Sequence, residues 1–144
     1  MKRWFVIICC GLVWQSIVAQ EVLLTVALDS TGTGSASSAT GTATLILSSD
    51  RTTLRYHVVV NRLSGPVTAA HFHVLPSTNA VHPIAFTGNE ASGSWAMPDS
   101  IFTYLFSERV YINVHTSAFP AGEIRGTPRR SSDLRGLERR SGRN

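Results

Sequence analysis

Cysteine is nearly absent from this 144-residue chain: the two present, Cys9 and Cys10, are adjacent and close to the N-terminus. Beyond residue 10 there is no partner for a disulfide, no thiolate metal ligand and no cysteine nucleophile. Other signatures are missing too. The chain contains no G-x-S-x-G elbow, no H-E-x-x-H and no Walker loop. Gly32-Thr33-Gly34 lacks the third glycine of a dinucleotide fingerprint and runs into a strand pattern instead of a helix. The acids are scattered and suggest no glycosidase pair, and no N-x-S/T acceptor occurs. No long segment carries a helical period. Such a chain must be held by the core of a β domain, and any chemistry must come from histidines, hydroxyls and a few charges.

The N-terminus stands apart from the rest. Lys2 and Arg3 precede an apolar run from Trp4 to Trp14, and Ser16-Ile17-Val18-Ala19 leads into Gln20. That is the pattern of a secretory signal peptide over residues 1–19, with cleavage expected after Ala19. The run is too short for a stable membrane anchor. Ile8 before Cys9 is not the small residue of a lipoprotein signal. The expected localisation is therefore secreted or periplasmic. The formal charge of +4 is unevenly spread. Residues 20–128, the expected domain, hold five Arg against seven acids, whereas residues 129–144 hold six Arg against two acids. A mildly acidic fold argues against nucleic acid as a partner, which would need a basic face on the fold. The tail has only Leu134 and Leu137 to bury, so residues 129–144 are expected to be a disordered basic tail suited to anionic surfaces.

Within 20–128 a two-residue apolar period recurs. Val22–Leu28, Thr42–Leu47, Thr53–Val60, Val67–Val74 and a stretch inside Phe86–Met97 read as strands. Asp29–Gly41 reads as a linker rich in Ser and Thr, and Leu75–Ala85, with its prolines, as a loop. Asp99 is placed to cap a short helix over Ser100–Phe106, with Ile101 and Leu105 inward. Val110–Gly126 reads as a hairpin. Val110, Ile112 and Val114 point inward, Tyr111, Asn113 and His115 outward, and Pro120-Ala121-Gly122 turns the chain into Glu123-Ile124-Arg125. The pattern predicts an all-β protein: a two-sheet antiparallel β-sandwich, immunoglobulin/superoxide dismutase-like, with one short helix.

The hairpin string V-Y-I-N-V-H-T-S-A-F-P-A-G-E-I-R-G resembles the end of the chordin-type (CHRD) domain, whose pattern is close to Y-x-N-V-H-T-x-x-x-P-x-G-E-I-R-G. Ala69-Ala70-His71-Phe72-His73 is similar to the family's A-H-I-H, and Gly93 with Trp95 to its G-x-W strand. The resemblance runs from about Val22 to Thr127. It departs where Asp29–Thr33 stands in place of the family's E-V-P-P, and where Ser107-Glu108-Arg109 replaces a glycine. It implies a secreted single-domain CHRD protein and names no activity.

Of the five histidines, His71 and His73 are two apart on one strand, and His115 lies on the non-core face of another. If those strands are neighbours, three imidazoles converge, a donor set that suits copper or zinc and leaves a coordination position open. A His-x-His strand with a third histidine from a late strand resembles the copper ligands of Cu/Zn superoxide dismutase. The competing reading is that these rings merely hydrogen-bond backbone carbonyls. His82 is the candidate for a fourth ligand, against an ordinary loop histidine, while His57 is expected to be a bystander on an outer face. Glu123 and Arg125 are candidates to support the site from behind its ligands, a carboxylate orienting a ligand histidine and a cation attracting an anion; the alternative is an exposed cross-strand ion pair. Three function classes follow: an extracellular binding module for an unknown partner with a histidine-bound metal, a superoxide dismutase-like copper enzyme, and a structural or adhesive protein. With both cysteines inside the expected leader, dithiothreitol should leave the melting temperature of the mature chain unchanged. A fall would show that Cys9 and Cys10 are retained and cross-linked.

Overall fold

The structure, a computed structural model, describes residues 20–131. The expected signal peptide and the tail from residue 132 lie outside the described residues. Alternation of apolar and polar residues builds β1 (Val22–Leu28), β2 (Thr40–Leu47), β3 (Thr53–Asn61), β4 (Val67–Val74), β5 (Ala80–Pro83), β6 (Glu90–Ala96), β7 (Val110–Thr116), β8 (Ile124–Gly126) and β9 (Arg129–Arg130). The helix α1 (Asp99–Phe106) lies between β6 and β7. The strands form two antiparallel sheets, one ordered β6-β3-β2-β1-β9 and the other β5-β4-β7-β8. The two-sheet β-sandwich with one short helix is the architecture that the alternation predicts.

Between the sheets the inward residues make one core. Leu24, Val26 and Leu28 of β1, Leu45 and Leu47 of β2, and Leu54 and Val58 of β3 meet Phe72, Ile112, Val114 and Ile124 from the opposite sheet. Phe72 is fully buried, with its ring 5.5 Å from that of Tyr56 and 5.3 Å from that of Trp95. α1 closes one end through Ile101 and Leu105. Its partly buried rings are covered by arginines: the guanidinium of Arg51 lies 4.9 Å from the ring centre of Phe102, and that of Arg130 4.5 Å from that of Phe106.

Four local expectations change. Leu75–Ala85 is not all loop, because Ala80–Pro83 pairs with β4 as an edge strand, and only an edge admits Pro83. Asp99 is the first helical residue, not the cap; Pro98 occupies that position, with no side-chain cap. The Ser/Thr stretch after β1 is no free linker, since its hydroxyls are anchored to the β7–β8 hairpin. The basic segment does not begin its independence at Arg129: Arg129 and Arg130 pair with Thr25 and Leu24 of β1. A chain ending at Pro128 should therefore unfold more readily than one ending at Ser131, by ~1 kcal/mol for the lost strand pairing. Parallel urea titrations of the two chains measure the difference.

Candidate functional site

β4 and β7 are neighbours, in a register that sets Ala69 opposite His115, His71 opposite Asn113 and His73 opposite Tyr111. These are the non-core residues of both strands. The alanine leaves space beside His115, and the three imidazoles turn toward one another. One ligand nitrogen from each of His71, His73 and His115 lies within 4.8 Å of the others. Their ring centres are 5.6 Å (His71–His73), 5.6 Å (His71–His115) and 6.4 Å (His73–His115) apart.

Two of the rings are held from behind. Nδ1 of His73 meets the Thr78 carbonyl at 2.9 Å, and Nδ1 of His115 meets the Pro120 carbonyl at 2.9 Å. A carbonyl only accepts, so both Nδ1 atoms carry the proton and both Nε2 atoms present a lone pair. Those two Nε2 atoms, together with Nδ1 of His71, are buried and lack a hydrogen-bond partner. Tyr111 stacks on His73, with centres 5.0 Å apart and planes 13° apart. Asn113 donates through Nδ2 to the Ala121 carbonyl at 3.1 Å. Gly122, at φ 125°, presses so closely on that amide that a Cβ there would collide with it. A cavity of about 180 Å³ opens on the cluster, lined by His73, His115, Tyr111, Asn113, Thr78 and Arg125 among others.

Residues 19–127 match the CHRD domain family. The chain belongs to that family. No curated protein and no solved structure matches it. No helix among the described residues is long and apolar enough to cross a membrane.

In this CHRD domain the outer face of β7 is less open than the alternation predicts. Tyr111 and Asn113 are buried and His73 is only 6% exposed, because the loop after β1 and the residues following β4 cover them. Burial pushes His71 below the ordinary imidazole value, and the neighbouring His115 adds to the effect. Burial lowers His73 as well; hydrogen bonding at Thr78 and Asn79 opposes the shift, and His71 and His115 reinforce it. Both rings are thereby biased to the neutral form.

The other expected residues fall elsewhere. His82 pairs with Phe72, so it points to the core side of the sheet, away from His71. Its ring lies flat on Trp95, 5.0 Å between centres and 11° between planes, and burial lowers its pKa. It is half-buried against the core aromatics and lies outside the histidine cluster. His57 is on the outer face of the other sheet, with Nδ1 2.8 Å from the Ser92 hydroxyl. Arg125 does reach the cavity, its guanidinium 5.3 Å from the ring centre of Tyr111.

Glu123 needs the largest correction. It is neither an exposed ion-pair partner of Arg125 nor in contact with a histidine. Its side chain is fully buried. Oε1 accepts from the Ser37 hydroxyl at 2.7 Å and the Ser64 N–H at 2.9 Å; Oε2 accepts from the hydroxyls of Ser64 at 2.8 Å and Thr116 at 2.6 Å. Glu123 precedes β8 at the bend after Gly122, so the alternation of the strand does not extend to it. Sequence reasoning missed Ser37, Ser64, Thr116 and the carbonyls of Thr78 and Pro120. Only the Tyr-x-Asn-x-His alternation signalled that Tyr111 and Asn113 share a face with His115.

Burial raises the pKa of Glu123, but hydrogen bonds from Thr116, Ser37 and Ser64 outweigh it and hold the group below its ordinary value of 4.5. A carboxyl with a depressed folded pKa adds stability that is present above its unfolded value and is lost as pH falls through the folded one. Wild type should therefore lose stability below about pH 4.5. Glu123→Gln should cost about 2 kcal/mol at pH 7, because one donor replaces an acceptor within a set of donors. It should also flatten the acid limb. Chemical denaturation of both proteins between pH 3 and 7 tests the pair of expectations, the range being set by a margin of roughly 1–3 units around the carboxylate value.

Proposed function

We propose that this CHRD domain is an extracellular or periplasmic binding module that holds one copper or zinc ion on His71, His73 and His115. The observation that carries the reading is the state of the ring nitrogens. Three of them are buried without a hydrogen-bond partner, on histidines whose ligand atoms lie within 4.8 Å of one another. Buried polar atoms are rarely left unpaired in that way. A cluster serving only hydrogen bonds accounts for the two Nδ1 contacts to carbonyls, but leaves three buried ring nitrogens without a partner. A divalent ion satisfies all three, and the carbonyl contacts are the outer hydrogen bonds that orient ligand imidazoles. Neutral imidazole suits both Cu²⁺ and Zn²⁺, with Cu²⁺ bound more tightly.

Two further readings have distinct consequences. A dismutase-like copper enzyme requires that the copper-loaded protein turn over superoxide. A structural or adhesive role requires that replacing all three histidines leave partner binding unchanged.

Calorimetric titration of the mature chain should show one Cu²⁺ per chain and weaker Zn²⁺ binding. His71→Ala, His73→Ala and His115→Ala should each weaken Cu²⁺ binding by more than about tenfold, the loss that removing even an outer-shell partner can reach. His57→Ala and His82→Phe should leave it unchanged. Absence of stoichiometric binding in wild type would reduce the cluster to a structural one.

A further inference from the structure

A second cavity lies outside the histidine cluster. It is a groove of about 650 Å³, within the range of roughly 300–1,000 Å³ typical of small-molecule sites. Its floor is the outer face of β1 and β2, and its wall is the segment that leaves β8 and crosses to become β9. Pairing places Arg129, Thr25 and Thr44 side by side across three strands, with Ala27 and Thr42 as the next rung. Cross-strand partners share a face, so these hydroxyls and the Arg129 guanidinium present one surface. Ala27, Thr42 and Thr44 are exposed, whereas the Thr25 hydroxyl is buried beneath them without a hydrogen-bond partner.

Arg125 stands at one end of this groove. Among the described residues no carboxylate lies within ion-pair distance of it. Its neighbour in sequence, Glu123, is turned away and saturated by hydroxyl and amide donors. Arg125 passes directly over Gly32, where any Cβ would strike its side chain, so the loop is shaped to admit the guanidinium. Arg129 meets Glu108 at 3.3 Å, but both side chains are half exposed, and such a pair is weak and screened by solvent. Asp29 is the single acid lining the groove, and its Oδ1 is engaged by the Thr31 N–H.

The chemistry of the lining is specific. Threonine hydroxyls both donate and accept, which matches a polyhydroxylated ligand. Each of the two guanidiniums matches an oxyanion, which it binds through paired N–H donors. No aromatic ring lines the groove among the described residues, so neither a nucleobase nor a neutral sugar gains a stacking platform there. We infer that the groove between β1–β2 and the β8–β9 crossing binds an acidic saccharide, with one carboxylate or sulfate group on Arg125, another on Arg129, and its hydroxyls on Thr42 and Thr44.

The mature chain, stripped of metal with a chelator, is titrated by calorimetry with an oligouronate, a sulfated oligosaccharide, the matching neutral oligosaccharide and inorganic sulfate. At least one acidic oligomer should bind with one site per chain, weakening as salt rises, and the neutral oligomer should not. The acidic oligomer that binds identifies the anionic group. Arg125→Gln should weaken that binding by about tenfold, the order expected when one bidentate charged contact is removed. Thr44→Val keeps the shape and strand preference of an exposed position and should also weaken binding, without changing the melting temperature. Equal binding of the neutral oligomer, inorganic sulfate binding as tightly as the oligomers, or full affinity in both variants would overturn the inference. Because the titration is metal-free, its failure leaves the reading of His71, His73 and His115 untouched.

Discussion

The buried carboxylate of Glu123 is the interaction on which most of the surrounding architecture depends. Taking a carboxylate out of water costs several kcal/mol even after the protein relaxes. Among the described residues no arginine offsets that cost. Four donors from Ser37, Ser64 and Thr116 do, and hydrogen bonds to a charged group contribute roughly 1.5–3 kcal/mol each. The donors come from three separate parts of the chain. One carboxylate therefore ties the loop after β1 and the turn after β3 to the β7–β8 hairpin. The backbone carbonyl of Glu123 adds to the anchoring by accepting from the hydroxyls of Thr33 and Ser35.

That anchoring reaches the histidines. Residues 117–123 form the loop that supplies the Pro120 carbonyl to His115 and the Ala121 carbonyl to Asn113. Glu123 closes the loop at one end and holds the segment containing Gly32 and Thr33 beside the same cavity. The result is that His73 and His115 have fixed tautomers and cannot rotate freely. Preorganisation of this kind is what a ligand set needs, because each donor is already aimed before anything binds. The same segment lies against Arg125, so the 180 Å³ cavity and the 650 Å³ groove share Gly32 and Arg125 as their common wall. The backbone makes the junction firm, since Asp29 and Arg125 exchange both of their main-chain hydrogen bonds, at 3.1 and 2.9 Å, and join the two sheets at that corner.

Much of the fold was legible because it rests on a local rule. The two-residue period placed β1, β3, β4 and β7 within a residue or so of their observed bounds, and it put Phe72, Ile112 and Val114 inside. It also put His71, His73 and His115 on faces away from the core, which is where they stand. The rule failed where the periodic segment ended or where a feature was set by a partner far along the chain. Ala80–Pro83 is too short and too proline-marked to show a period, and it becomes a strand only because β4 offers an edge. Arg129 and Arg130 look like the start of a polar tail, and they become β9 only because the edge of β1 lies beside them.

The sequence by itself determined the family, the sandwich and the face on which each histidine lies, because motif spacing and alternation are properties of neighbouring residues. Tertiary structure alone decided which strands are adjacent, and so whether two histidines on β4 meet a third on β7. It decided that His82 packs against Trp95 on the core side of the sheet, since a residue inside a loop-like stretch has no face until its strand is paired. It decided the fate of Glu123 most clearly. An ionisable side chain next to a turn is expected in water, and donors at Ser37 and Ser64, 86 and 59 residues away, join Thr116 to make its burial possible. Long-range hydrogen bonds leave no periodic trace in the chain that makes them.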